Sequence, residues 1–169
     1  MLSVAGPRPG ARGFSLPELL VALAVLGLLA AMAFRTGGEQ LARQRLEAAT
    51  RRLEQGLQRA RAEAQAGGRP CGMSLIGAAW GPPTTGALTA CRPGLEGLQE
   101  PIAAGELRLE HNLPAVLRFS ANGLVLDGGT VVLSTRGTAL RRCLVLALPL
   151  GITRLGRDRG QGCEQDPTL

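Results

Sequence analysis

The sequence contains no lysine and no tyrosine, and it has one tryptophan and one histidine in 169 residues. A single histidine, His111, excludes sites that bind a metal through paired histidines. The four cysteines include no C-x-x-C pair and form no zinc-binding pattern with His111. Without lysine, all 19 basic side chains are arginines, a bias that we attribute to genome composition rather than to phosphate binding. The formal net charge of +6 is compatible with contact to a polyanion but does not require it.

The sequence also lacks a recognisable enzyme site. Ser120, His111 and Asp127 supply the residue types of a hydrolase triad, but no serine lies in a nucleophile-elbow motif. A phosphate-binding loop is missing as well. We therefore expect a protein that is not an enzyme and that needs no cofactor and no metal.

An apolar run extends from Phe14 to Phe34 and carries a single charge, Glu18. As an α-helix, this run of about 21 residues would be roughly 31 Å long, which matches the hydrocarbon thickness of a bilayer. A carboxylate in such a segment is unfavourable unless it has a partner, so Glu18 is a candidate functional residue. If the chain were cut between Gly13 and Phe14, the new α-amine would lie four residues before Glu18. The two groups could then neutralise each other between neighbouring subunits.

Two simpler interpretations of the same run stay open. In an ordinary secretory signal, Arg8 and Arg12 would form the basic region, residues 19–29 the apolar core, and Ala31-Met32-Ala33 the cleavage site. The other alternative is a plain single-pass membrane anchor. Both leave Glu18 without a role.

A helical pattern continues beyond Phe34. Apolar residues at spacings of three and four form one stripe, and charged residues fill the other faces. Gly67-Gly68-Arg69-Pro70 then ends the helix. The stripe consists of Ala42, Leu46, Ala49, Leu53, Leu57, Ala60 and Ala64.

Short apolar runs separated by turn residues follow Pro70 and predict β-strands. Asn122-Gly123 and Asp127-Gly128-Gly129 are typical turn signals. The predicted fold class is α+β, with a long N-terminal hydrophobic helix packed on a C-terminal antiparallel β-sheet or sandwich. The predicted strands are Met73–Ile76, Ala87–Ala90, Leu107–Leu109, Val116–Phe119, Leu124–Leu126, Val131–Leu133 and Leu144–Leu148.

All four cysteines follow the apolar run, and an even number in a translocated domain indicates disulfides. Their order along the chain favours Cys71–Cys91 and Cys143–Cys163. Each bond would close a loop of about 20 residues and contribute roughly 3 kcal/mol. Four buried thiols in a reducing compartment are the alternative.

The junction Gly13-Phe14-Ser15-Leu16-Pro17-Glu18 follows a short basic leader and precedes an apolar helix. It resembles the class III leader junction of type IV prepilins and type II secretion pseudopilins. The resemblance implies that a prepilin peptidase cuts after Gly13 and methylates the new N-terminal residue, Phe14. It also implies that Glu18, the fifth residue of the mature chain, guides docking into the growing filament.

The C-terminal half resembles the GspH/FimT family of minor pseudopilins and minor pilins. The matching features are a first strand with a cysteine, Trp80-Gly81, the segment 117–123 before a hairpin, and the segment 140–146 leading to Gly151. The resemblance implies a leader over residues 1–13 and a transmembrane or filament-core helix over 14–34. It further implies an amphipathic continuation over 35–66 and a β-rich head over 67–169.

Three arginines near the C terminus, Arg154, Arg157 and Arg159, are candidate DNA contacts. FimT-like minor pilins of natural transformation carry a Gly-Arg-x-Arg motif implicated in DNA binding, and Gly156-Arg157-Asp158-Arg159 fits that string. Alignment from the strand of Arg141-Arg142 instead places the motif at residues 151–154, where its first arginine is missing. We expect the three arginines on a loop tethered by Cys163, either contacting phosphates or simply solvated.

The resemblance as a whole predicts a structural minor pseudopilin of a type II secretion system or a type IV pilus-like filament, located at or near the filament tip. The expected partners are prepilin peptidase and other pilin or pseudopilin subunits. The expected location is the inner membrane, with the head on the periplasmic or outer side. The alternatives are a FimT-like minor pilin that binds DNA in transformation and a secreted domain with a conventional signal peptide.

Overall fold

The computed structural model describes residues 14–76, 79–81, 83, 88–92 and 96–166. Within these residues the chain forms two helices and nine strands, so the predicted α+β class is confirmed. The helices are α1 (Leu16–Gly67) and α2 (Glu96–Ala103). The strands are β1 (Cys71–Ile76), β2 (Ala79–Gly81), β3 (Thr89–Ala90), β4 (Leu107–His111), β5 (Val116–Phe119), β6 (Gly129–Thr135), β7 (Arg141–Ala147), β8 (Ile152–Asp158) and β9 (Cys163–Gln165).

The chain divides into two compact units, Met1–Gly38 and Glu39–Leu169. We refer to them as the N-terminal unit and the globular unit. The described part of the N-terminal unit is the beginning of α1 and the two residues before it. The globular unit contains the remainder of α1, helix α2 and all nine described strands.

Helix α1 ends at the predicted stop signal. Gly68 has a φ of 58°, a left-handed conformation that glycine adopts without strain. The Gly68 amide donates to the Gln65 carbonyl at 3.3 Å, and the Arg69 amide donates to the Ala64 carbonyl at 3.3 Å. These two bonds form a Schellman motif, which satisfies carbonyls that would otherwise lack a partner at the helix end.

The predicted apolar stripe of α1 is confirmed, because all seven of its members are buried. From Leu46 onward they belong to one hydrophobic core. Side chains from both sheets complete this core, including Met73, Phe119 and Leu144. The second half of α1 therefore serves as the layer that covers the sheets.

The strands form two sheets. In the first, β1 is central and pairs antiparallel with β2 and β5 and parallel with β3. The second sheet has the order β4-β6-β7-β8-β9 and is antiparallel throughout. The β1–β3 pairing, only two residues long, departs from the predicted antiparallel arrangement.

Five of the seven predicted strands coincide with observed strands. The prediction of a strand over Leu124–Leu126 is wrong: Val125 forms only an isolated bridge with Phe119, because the chain turns tightly at Gly123. At Ala87–Ala90 the strand comprises Thr89–Ala90, and Ala87 lies outside the described residues. Helix α2 and strands β2, β8 and β9 were not predicted.

Candidate functional site

The N-terminal unit presents an apolar surface. Its large hydrophobic side chains from Leu16 to Met32 are all at least half exposed, and Phe14 is 80% exposed. Helix α1 contains an 18-residue window with a mean hydropathy of 2.2, long and apolar enough to cross a membrane. Exposed apolar surface of this extent requires an apolar surrounding, either lipid or other protein. Gly13 and the predicted leader lie outside the described residues.

Glu18 forms part of the N-terminal cap of α1. The Ser15 amide donates to Glu18 Oε2 at 3.3 Å, and the Ser15 hydroxyl donates to the same oxygen at 3.4 Å. Ser15 and Glu18 have the S-x-x-E spacing of a capping box, in which the N3 carboxylate binds the N-cap amide. Sequence reasoning missed this local role, although the spacing of the two residues was its signal.

The globular unit contains both disulfides that the order of the cysteines favoured. Cys71 is bonded to Cys91, and Cys143 is bonded to Cys163, each across a separation of 20 residues. The first bond joins β1 to the residue after β3, and the second joins β7 to β9. The alternative of four thiols is therefore wrong. Such bonds persist in translocated proteins, whereas the cytosol keeps cysteine thiols reduced.

The expectation of a loop is wrong for Arg154 and Arg157. Arg154 and Arg157 belong to strand β8, and Arg159 follows its last residue. Strand β8 forms because its residues alternate between the two faces of the sheet and pair with β7 from Ile152 to Arg157. The first three residues of the string Gly156-Arg157-Asp158-Arg159 are thus part of a sheet.

Two of these three guanidinium groups are already ion-paired. Arg157 Nε lies 2.9 Å from Asp166 Oδ2, and Arg159 Nε lies 2.9 Å from Glu164 Oε2. Arg154 is exposed and shows no ion pair within the described part of the chain. The three arginines thus lie on or directly after strand β8, which runs between β7 and β9. Carboxylates offset the positive charge of Arg157 and Arg159.

A buried ion cluster surrounds Arg142, a residue that the sequence did not single out. Its side chain is 3% exposed and contacts Asp166 Oδ2 and Glu47 Oε1, each at 2.7 Å. The cluster joins strand β7 to helix α1 and to the residue that follows β9. The feature of the sequence that could have indicated this cluster is two adjacent arginines, Arg141-Arg142, at the start of an apolar strand.

Two of the three residues that could form a hydrolase triad, Ser120 and Asp127, have other partners. The Ser120 hydroxyl accepts a hydrogen bond from the Leu124 amide at 3.0 Å. Asp127 binds Arg118, with Oδ2 and Oδ1 each 2.8 Å from a guanidinium nitrogen. The hydrogen bonds from Arg118 hold the pKa of the Asp127 carboxyl below its ordinary value. Among the described residues, no group of three or more His, Cys, Asp or Glu side chains could hold a metal.

Two family models match the chain. The model of the type II transport protein GspH matches residues 49–149, more than half of the sequence. The model of the prokaryotic N-terminal methylation motif matches residues 8–34, which include Gly13, Phe14 and Glu18. No curated protein and no solved structure matches the chain.

Proposed function

Because the chain belongs to the family of the type II transport protein GspH, we propose that it is a minor pseudopilin assembled at or near the tip of a secretion or pilus-like filament. Membership of this family and the methylation motif support a pilin-like structural subunit. The position at the tip, the inner membrane and a periplasmic or outer globular unit are parts of the proposal.

The observation that carries the proposal is the contrast between the two halves of α1. Apolar side chains are exposed from Leu16 to Met32, whereas the apolar stripe from Ala42 to Ala64 is buried in the globular core. The exposed half coincides with the matched methylation motif. A segment of this kind packs stably in lipid before assembly and against other apolar helices after it.

In the proposed maturation, prepilin peptidase cuts the bond between Gly13 and Phe14 and the new α-amine of Phe14 is methylated. Residues 1–13 are lost, and with them Arg8 and Arg12. The amine and the Glu18 carboxylate then have opposite charges in an apolar surrounding. We infer that Glu18 pairs with the amine of an adjoining subunit, since neither charge is stable alone there.

The experiment that tests the proposal is the intact mass and N-terminal sequence of the chain recovered from membranes. We expect it to begin with N-methylated Phe14. Gly13→Val should block cleavage, whereas the control Gly10→Val, in the same leader, should be processed normally. Normal maturation of the Gly13 variant, or a mature chain that begins at Phe34, would contradict the proposal.

We propose DNA binding by a FimT-like minor pilin as a second candidate function. The observation in its favour is Arg154, which is exposed and shows no ion pair within the described residues. Binding of the full-length chain to duplex DNA would depend steeply on salt. Converting Arg154, Arg157 and Arg159 to glutamine should reduce the slope of log K against log salt by up to about 2.7. An unchanged slope would remove these residues from the DNA-binding proposal.

A further inference from the structure

Exposed apolar side chains of the globular unit are concentrated in one place. Six large hydrophobic residues of its described part are exposed, and five of them lie on two segments, 124–126 and 148–152. We call these five the leucine patch, and their exposed fractions range from 36 to 56%. Single exposed apolar residues are ordinary, but a cluster of them is typical of an interaction surface. The leucine patch consists of Leu124, Leu126, Leu148, Leu150 and Ile152.

The two segments of the leucine patch lie against each other. The Val125 amide donates to the Pro149 carbonyl at 2.9 Å. A Cβ on Gly151 would overlap the side chain of Val125, and a Cβ on Gly128 would lie 3.0 Å from Leu148 Cγ. Val125 itself is buried. The turn between β7 and β8 is therefore held beside the segment after β5, and the neighbours of Val125 point outward.

Arginines border the leucine patch. Arg61 on α1 donates from Nε to the Gly123 carbonyl at 2.8 Å. The Arg118 carbonyl accepts the Leu126 amide at 3.0 Å, and Arg154 lies two residues beyond Ile152 on β8. Two carboxylates lie nearby. Asp127 is bound by Arg118. Glu54 accepts a hydrogen bond from Thr153. The neighbours of Thr153, Ile152 and Arg154, point to the other face of the strand.

We propose that the leucine patch binds the globular unit of a different pilin-like subunit, through an apolar surface bordered by carboxylates. The inference rests on the proposed function, because it requires a filament with more than one kind of subunit. Interfaces of this composition have apolar centres and are enriched in arginine. Arg61 is already held in place by its hydrogen bond to the Gly123 carbonyl, so less side-chain entropy is lost when it meets a carboxylate of the partner.

Charge argues against a second copy of this chain as the occupant. A symmetric contact through the leucine patch would bring Arg61 and Arg154 close to the same two arginines of the second copy. Like charges across an interface disfavour association. An anionic lipid surface attracts through a field of uncompensated positive charge. The carboxylates of Asp127 and Glu54 near the leucine patch weaken that field. A protein partner with carboxylates around an apolar centre fits these features better.

The test is site-specific photo-crosslinking with the full-length chain in its own cells. A photoreactive residue replaces Leu150 in the leucine patch or, as a control, the exposed Ala104 after α2. We expect a product at position 150 with a second protein whose N terminus is an N-methylated residue, the mark of a processed pilin-like subunit. We expect its yield to exceed that at position 104 severalfold, because a crosslinker inside a specific interface stays next to the partner.

A second pair of variants tests the role of charge. Arg154→Glu should reduce the product at position 150 severalfold, because it places a carboxylate opposite the carboxylates of the partner. Arg136→Glu is the matched control, since Arg136 is exposed and lies at the turn after β6, outside the leucine patch. It should leave the yield unchanged.

The possible results separate the two proposals. A chain that begins with methylated Phe14 but crosslinks equally at positions 150 and 104 leaves the proposed function intact and overturns the role of the leucine patch. Crosslinks from position 150 to lipid or to a second copy of this chain, or no product at all, would overturn it as well. A chain without methylated Phe14 would contradict the proposed function itself.

Discussion

Arg142 shows how a single charged residue can be accommodated in a core. Its guanidinium contacts Glu47 and Asp166, and Asp166 also binds Arg157. Burial of a charge is unfavourable unless partners compensate it, and breaking such a pair leaves an uncompensated buried charge. The cluster therefore holds Asp166 and helix α1 against the same strand.

Asp166→Asn should destabilise the globular unit by about 1–3 kcal/mol, since the buried guanidinium of Arg142 would lose one of its two carboxylates. The measurement is urea denaturation of the full-length chain in detergent. Glu164→Gln is the control, because its pair with Arg159 is exposed on both sides. That variant should lose less than about 1 kcal/mol. Equal losses would contradict a special role for the buried cluster.

The Arg118–Asp127 pair predicts a dependence of stability on pH. The pKa of Asp127 lies below its ordinary value of 3.8, chiefly because Arg118 donates hydrogen bonds to the carboxylate. The pair therefore stabilises the fold above the unfolded pKa, and this contribution is lost as the pH falls through the lower pKa of the folded state. Asp127→Asn should flatten the stability profile below pH 3.8 relative to the original chain. If the stability of Asp127→Asn fell with pH as steeply as that of the original chain, other carboxylates would be responsible for the pH dependence.

A short motif in the sequence can suggest a role for a residue, whereas a residue whose partners lie far along the chain gives no such signal. Phe14 and Glu18 form a contiguous motif, and their proposed roles await the mass measurement. The partners of Arg142 lie 95 and 24 residues away along the chain. No spacing rule connects positions so far apart, because the fold alone brings them together.

At the scale of elements, helix α1 is explained by its seven-member stripe. The spacing of three and four places these side chains on one face, and every member is buried. Leu53 is fully buried in the middle of the stripe, whereas Leu41 is 48% exposed on the same helix. Replacing each of these leucines in turn therefore distinguishes the effect of helix propensity on stability from the effect of core packing.

Leu53→Ala should destabilise the globular unit by about 2–5 kcal/mol, because it removes buried methyl groups and leaves a cavity. Leu41→Ala makes the same chemical change at an exposed position and should alter stability by less than about 0.5 kcal/mol. Urea denaturation of the full-length chain measures both. Similar values for the two variants would indicate that the stripe does not support the core.

The elements that the sequence did not predict have identifiable physical reasons. Strand β8 carries two arginines and a glycine, so its alternation was not apparent as a half-buried strand. Helix α2 contains Pro101, a residue that normally ends helices, although Leu98 and Ile102 have the i, i+4 spacing of a buried face. Tertiary packing overrode these local signals.

At the scale of the whole molecule, the two units differ in what they need from their surroundings. The globular unit buries its own core and has two disulfides. The N-terminal unit buries none of the apolar side chains described from Leu16 to Met32. The apolar side chains of that segment are stably accommodated only when a membrane or other subunits cover them.

Glu18 has two roles that substitutions can separate, helix capping and the proposed pairing with the amine of a neighbour. Glutamine also serves at the N3 position of a capping box, so Glu18→Gln should preserve the cap but remove the negative charge. Glu18→Ala removes both. We expect both variants to be cleaved after Gly13 and to be about tenfold or more depleted from sheared filaments, since an unpaired amine is unfavourable in an apolar surrounding.

Glu39→Gln is the matched control for this experiment, because it neutralises an exposed carboxylate that pairs with Arg43 on the same helix. It should be incorporated normally, since an exposed i, i+4 pair contributes only about 0.3–0.5 kcal/mol. If Glu18→Gln assembled like the original chain and only Glu18→Ala were depleted, capping would be the role of Glu18. Depletion of both variants, with normal incorporation of Glu39→Gln, would assign the effect to the charge of Glu18, and the proposed pairing requires that charge.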